Sequence, residues 1–255
     1  MNLNSNITEY CENLFFESDN SDKLLVFLPS VNGGKNYPYY PRKSWSSDFS
    51  DKYNVLFISD PYQNLLLYLE SMGSWFISPD GESTIEILAE KIVELKDKLS
   101  LRDVLFYGSS MGGYAAIILS SLIAGSKAIS ECPQLYLSKH PGSRYVCNNI
   151  LKKTIDVNLI EPLHFLREGK SKHIRLVCSI FDNHHYLSHI LPFVEDIKGI
   201  SNINISIELY ANDLYKNGHV ALNKIDAFKL IEEVMNSDFF IWNRGHFGYS
   251  LFNPR

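Results

Sequence analysis

Along this chain, short apolar runs alternate with longer stretches in which apolar residues recur every third or fourth position. The runs LLVFLPS (24–30), NVLFIS (54–59), DVLFY (103–107), SKAIS (126–130), IRLVCSI (174–180) and INISIELY (203–210) read as strands. Several are apolar nearly throughout, as expected of strands covered on both faces. The stretches between them predict helices over 83–99, 112–124, 186–197 and 219–235. Strands alternating with helices require right-handed crossovers, and so predict an α/β protein whose mostly parallel sheet carries helices on both faces. A further strand in YCENLFFES (10–18), followed by the turn-like DNSD, is expected to pair antiparallel at the sheet edge.

Residues 131–173 interrupt this rhythm with about forty residues that hold no convincing strand. They are expected to form a small cap inserted between the fifth and sixth strands. Between Lys139 and Lys172, seven lysines and arginines stand against Asp156, Glu161 and Glu168, a net charge of +4, opposite in sign to the chain as a whole. A basic cap over a cleft would favour anionic ligands. An ordinary solvated surface has the same composition, and both readings stay open here.

Composition narrows the class. With 255 residues, 45% hydrophobic and 21% charged, the chain can bury one substantial core, and a single domain over 1–255 is expected. A formal charge of −5 argues against a nucleic-acid partner. The four cysteines, Cys11, Cys132, Cys147 and Cys178, show neither metal-ligand nor disulfide-framework spacing, so no metal is expected and reduced thiols of a cytoplasmic protein are. The first residues lack a basic segment followed by an apolar one, so no secretory signal is read. No window approaches eighteen consecutive apolar residues, which predicts no membrane span.

The candidate chemistry lies where the period changes, at FYGSSMGGY (106–114). Strand before and helix after make G-x-S-x-G meaningful: a tight strand-to-helix turn needs glycines on both sides and presents the serine hydroxyl at a helix N-terminus. Only Ser110 has glycine both two before and two after it, Gly108 and Gly112, so Ser110 is the candidate nucleophile and Ser109 a packing neighbour. A serine needs a base, and the base an orienting acid. Ligands of parallel sheets bind beyond the carboxyl ends of the strands. Asp182 follows strand 174–180 and His219 follows strand 203–210, in the order Ser, Asp, His. Asp213 is a second candidate acid. His184 and His185 are rival bases, read as site-lining or surface groups because they follow Asp182 too closely to be oriented by it. The tetrahedral oxyanion of acyl chemistry needs backbone donors. These are read as the N–H groups of Met111 and of Val31, in the loop Ser30-Val31-Asn32-Gly33-Gly34, with Ser30 the rival for the second. Ser30, Asn32, Arg42 and His184 are expected to line the substrate side.

These residues together resemble the α/β-hydrolase superfamily over most of the chain. Within it, GSS-x-GG, Cys132-Pro133-Gln134, IFDNHHYLSH and the late Gly-His resemble the bacterial capsular polysaccharide O-acetyltransferases. The resemblance implies a Ser110–His219–Asp182 acyltransferase. Acetyl-CoA would be its donor, with no cofactor held permanently, and a saccharide hydroxyl its acceptor. A carboxylesterase, saccharide acetylesterase or peptidase on the same residues, and a catalytically silent scaffold, are the alternatives. The aromatic C-terminal run SDFFIWNRGHFGYSLFNPR (237–255) is expected to pack on the fold, with a partner subunit of a homo-oligomer or a synthesis complex as the rival contacts.

Overall fold

A computed structural model describes residues 10–32, 36–170, 173–201, 203–210 and 218–237, and the backbone of 249–252. Eight strands form one sheet: β1 (Asn13–Phe16), β2 (Lys23–Phe27), β3 (Asn54–Ile58), β4 (Asp103–Ser109), β5 (Ser126–Glu131), β6 (His173–Ser179), β7 (Asn204–Tyr210) and β8 (Tyr249–Phe252). The order is β1-β3-β2-β4-β5-β6-β7-β8. β1 runs antiparallel to β3, and every other pair is parallel. The helices, in chain order, are α1 (Ser46–Phe49), α2 (Ile85–Lys98), α3 (Met111–Leu122), α4 (Pro141–Tyr145), α5 (Pro162–Glu168), α6 (Asn183–His185), α7 (Leu191–Asp196) and α8 (Lys224–Asn236).

Alternation along the strands divides the core into two layers. Leu24, Val26 and Leu28 face one way and join Ile85, Leu88, Ile92 and Leu95 of α2 and the whole buried length of α3. Leu25 and Phe27 face the other way and meet Phe49 and the Ala227, Leu230, Ile231 and Val234 stripe of α8. The spacing of these helical residues is the 3.6-residue period, so each helix buries one face on the sheet. α3 is apolar on all sides because α2 and α5 cover what the sheet does not.

Several boundaries moved. The helix expected over 219–235 begins at Lys224, where Asn223 Oδ1 accepts from the Asp226 N–H at 3.0 Å and caps it. The helix expected over 186–197 is divided into α6, one wide turn at Tyr186–Ile190 and α7. The segment between β5 and β6 holds no strand among its described residues; Leu135, Leu137, Phe165 and Leu166 from it are buried in the same core as α3. In the C-terminal run, Tyr249–Phe252 adds a parallel strand beside β7. Asp213, Gly33, Gly34 and residues 238–248 lie outside the described residues. Among the described residues, no helix is long and apolar enough to cross a membrane.

From β2 the chain moves to β3 on one side and later to β4 on the other. The loops after β2 and β4 therefore diverge, and a crevice opens at the carboxyl ends of these two strands.

Candidate active site

Ser110 occupies the turn between β4 and α3 at φ 58° and ψ −119°, a conformation L-residues rarely adopt. The turn is that tight because nothing stands between Gly108 and Gly112: a Cβ on Gly108 would fall 2.2 Å from the Gly112 carbonyl carbon. A Cβ on Gly112 would fall 2.8 Å from the Pro29 carbonyl oxygen. The Ser110 N–H donates to the Glu131 carbonyl at 2.8 Å, which ties the elbow to β5.

Asp182 follows β6 and caps α6 with its side chain, while His219 sits in the loop ahead of α8. His219 Nδ1 lies 2.6 Å from Asp182 Oδ2. An ionised carboxylate only accepts, so Nδ1 carries the hydrogen and Nε2 is the basic nitrogen. Asp182 is 4% exposed. Burial alone would raise its pKa, but hydrogen bonds from His185 and His219 hold it well below the usual carboxylate range. For His219, burial works against the charged form, yet the Asp182 carboxylate and the Cys132 side chain outweigh it and lift the pKa to about 10.

Asp182 orients two imidazoles. Its Oδ1 accepts from His185 Nδ1 at 2.9 Å and from the His185 backbone N–H at 3.2 Å, and the His185 and His219 rings stack 4.0 Å apart. His185 was expected to follow Asp182 too closely for this. The single helical turn of α6 corrects that expectation, since it brings residue i+3 back over residue i. Ser110 Oγ accepts its hydrogen bond from Gln134 Nε2 at 2.7 Å. No hydrogen bond joins Ser110 Oγ to His219.

No protein-family model and no curated protein matches this chain. Solved structures do. The capsule O-acetyltransferase of Neisseria meningitidis serogroup A, in complex with caged gadolinium, superposes with a TM-score of 0.65 at 17% identity over 89% of this chain and 91% of that one. A mutant of the same enzyme in complex with CoA gives 0.63 at 18% identity, over 89% of this chain and 91% of that one. Esterase B from Lactobacillus rhamnosis gives 0.60 at 13% identity, over 86% and 76% of the two chains.

The chain has the α/β-hydrolase fold.

In an α/β-hydrolase fold, the loop after β2 and the N-terminus of α3 border the crevice. Here the β2 loop is held by Gln63 Nε2, which donates to the Ser30 carbonyl at 3.1 Å, and by the Asn32 N–H, which donates to the Met72 carbonyl at 2.8 Å. Val31 and Met111 both lie against Gly73, whose added Cβ would meet Met111 Sδ at 2.7 Å and Val31 Cγ1 at 3.2 Å. Neither the Val31 nor the Met111 N–H donates to a described residue. His184 is exposed, with its ring 6.2 Å from that of His140 and 5.2 Å from that of His185.

Arg42, expected on the substrate side, is 6% exposed and engaged elsewhere. Its guanidinium pairs with Glu131 Oε2 at 3.0 Å, reaches Ser109 Oγ at 3.3 Å and lies 4.8 Å from the centre of the Tyr107 ring. Glu131 also accepts from Tyr107 Oη at 3.0 Å and from the Leu222 N–H, so one carboxylate joins β4, β5 and the loop that carries His219. The two serines thus have different partners: Ser109 anchors Arg42, and Ser110 faces Gln134. Arg42→Met leaves the Glu131 carboxylate buried without its cation and is expected to destabilise the fold by about 3 kcal/mol. Thermal unfolding checks this, and Arg42→Met/Glu131→Gln should recover part of the loss.

Glu131 and Gln134 are the residues that the sequence reading missed as site builders. The available signals were an acid at the carboxyl end of a strand, directly behind which stands the CPQ tripeptide. Cys132, Asp182 and His219 present ligand atoms within 4.8 Å of one another, a spacing compatible with a metal ion. Within this cluster His219 Nδ1 and Asp182 Oδ2 are hydrogen-bonded at 2.6 Å, and the Cys132 thiol lies 3.7 Å from Tyr210 Oη.

Proposed function

We propose that this chain is an acyl-transfer enzyme in which Ser110 is the nucleophile, His219 the general base and Asp182 the group that orients it. The reaction would move an acetyl group from acetyl-CoA to a saccharide hydroxyl. The observation that carries the reading is the Asp182–His219 pair at 2.6 Å, at the same end of the sheet as a serine held at positive φ on a strand-to-helix elbow. Similarity to a capsule O-acetyltransferase over nine-tenths of both chains, and to its complex with CoA, supports the finer assignment of donor and acceptor.

In this reading the Ser110 hydroxyl gives its proton to His219 Nε2 as Oγ attacks the thioester carbon. The carbonyl π pair moves onto oxygen, where the N–H groups of Met111 and Val31 are the proposed donors. Collapse reforms the carbonyl, breaks the C–S bond and returns the proton from His219 to the departing thiolate. A sugar hydroxyl then repeats the sequence in reverse on the acyl-serine. The segment after β5 is the proposed cap: it brings Gln134 to Ser110 and His140 to Gln134, and its basic residues would attract an anionic donor or acceptor. Likeness to esterase B supports a second reading, in which water is the acceptor.

Intact-protein mass after brief exposure to acetyl-CoA tests the proposal. An acetyl adduct that survives in water and is discharged by an oligosaccharide supports the transferase; rapid ester turnover without an adduct supports the hydrolase; no reaction with either donor rejects both.

The base acts only when neutral, and the His219 pKa lies above the ordinary value of 6.5. Acylation is therefore expected to accelerate as pH rises above neutrality, with a midpoint on the alkaline side of 6.5. Asp182→Asn removes the main cause of the elevation and should move that midpoint down while lowering the plateau rate by about 10⁴-fold. Single-turnover rates against pH check both; a wild-type midpoint at or below 6.5 would contradict the assignment.

A further inference from the structure

The hydrogen bond to Ser110 Oγ comes from a side chain outside the Ser110–His219–Asp182 set. We propose that Gln134 is a catalytic residue: its carboxamide N–H holds Ser110 Oγ and stabilises the negative charge that this oxygen carries as its proton leaves. The inference rests on Ser110 being the nucleophile.

Gln134 is 1% exposed, and its Nε2 lies 2.7 Å from Ser110 Oγ. Its orientation follows from its other partner: the Trp75 indole N–H, which can only donate, meets Oε1 at 2.9 Å, so the amide nitrogen must face the serine. The second amide hydrogen faces His140 Nε2 at 2.9 Å. Burial, followed by the neighbouring imidazoles, depresses the His140 pKa to about 3 and keeps it neutral; a neutral imidazole accepts at one nitrogen only, so this contact competes with the Gly142 N–H, which lies 3.2 Å from His140 Nδ1. The Gln134 backbone N–H also donates to the Ser110 carbonyl at 3.4 Å. The Trp75 indole holds Oε1 and Ser110 Oγ holds Nε2, so the donor is fixed before any substrate arrives.

The backbone around this chain of bonds is strained at Ser110 (φ 58°), at Cys132 (φ 41°) and at the adjacent Trp75 and Phe76 (φ 54° and 61°). Non-glycine residues persist there only where the surroundings over-determine them. Trp75 and Ser110 belong to the Trp75–Gln134–Ser110 chain, Phe76 adjoins it, and Cys132 turns the backbone out of β5 toward it.

The chemistry follows from which atom is charged. With a lone pair of Oγ accepting from Gln134, the hydroxyl hydrogen is left for His219. As the proton passes to His219 and the bond to the acyl carbon forms, the bond from Gln134 becomes charge-assisted and strengthens. In the acyl-enzyme, Oγ is an ester oxygen and a poor acceptor. In deacylation it is the leaving group, regains charge and regains the bond. Gln134 therefore serves both half-reactions on an atom distinct from the carbonyl oxygen that the backbone donors address.

The test compares wild type, Gln134→Met, Gln134→Glu and Ser110→Ala in their rate of covalent labelling by a fluorophosphonate, which serine attacks at phosphorus with loss of fluoride. Gln134→Met removes the donor at similar volume and should slow labelling, and acylation by p-nitrophenyl acetate, by about 10- to 100-fold with an unchanged near-ultraviolet circular dichroism spectrum. Gln134→Glu keeps an acceptor for Trp75 and regains a donor only when protonated, so its rate relative to wild type should rise as pH falls from about 8 to about 6. A packing role would leave that ratio independent of pH. Labelling of both variants at the wild-type rate at every pH overturns the inference, and if Gln134→Met does not fold, Gln134→Glu decides alone. Labelling of Ser110→Ala at the wild-type rate would overturn the nucleophile reading itself.

Discussion

Ser110→Ala is expected to abolish the acetyl adduct and to lower kcat by at least about 10⁴-fold while the protein stays folded. The loss is large because both half-reactions pass through Oγ, and neither the Asp182–His219 pair nor the backbone donors can replace a missing nucleophile. The fold should persist because alanine meets the same strain at φ 58° that serine already bears, in the same volume. What is lost structurally is one acceptor for the buried Gln134 amide, a cost of about 1 kcal/mol. Ser109→Ala is the control. Its hydroxyl accepts from Arg42 and points away from the chemistry, so activity should remain within about an order of magnitude of wild type. Adduct formation at an undiminished rate in Ser110→Ala would remove Ser110 from the mechanism.

Gly108→Ala is expected to destabilise the protein by more than about 4 kcal/mol, or to prevent soluble expression. The added Cβ would stand 2.2 Å from both the carbonyl carbon and the carbonyl oxygen of Gly112. These are backbone atoms inside the first turn of α3, so no side-chain rotation relieves the overlap, and the elbow must open. Opening it displaces Ser110, Met111 and the start of a helix that is buried on all sides. Gly125→Ala gives the contrast: its φ of +75° is strained for alanine, but no atom lies within 4 Å of the new Cβ, so a cost of only about 1 kcal/mol is expected. Thermal melts of the two variants separate steric overlap from backbone strain. A Gly108→Ala protein as stable as Gly125→Ala would contradict the packing described for the elbow.

Much of the site was legible along the chain because its parts are local. The elbow is a five-residue pattern with a steric reason for each glycine. Asp182 and His219 could be placed because each stands just beyond an apolar strand, and a parallel sheet collects such positions at one end. Arg42 shows the limit of that reasoning. In sequence it is a cation in an aromatic segment, YPYYPRKSW, and looks available to a ligand. In the fold, Trp45, Tyr107 and Glu131 enclose it, because Tyr107 and Glu131 arrive from strands much later in the chain, Glu131 by 89 residues. His185 shows the reverse: a residue judged too near Asp182 became its partner once the intervening backbone turned.

The layered α/β architecture, the strand-turn-helix around Ser110 and the order of the three candidate catalytic groups can all be read along the chain. These depend on periodicity and on steric rules acting over a few residues, which any stretch of the chain expresses locally. That Gln134 holds Ser110, that Asp182 serves two imidazoles and that Glu131 ties Arg42 to the loop bearing His219 emerges only once the chain is folded. Most of these contacts join segments tens of residues apart, and even the short step from Asp182 to His185 depends on how the loop turns. Which side chains meet inside a crevice follows from strand order and backbone direction, which no local pattern records.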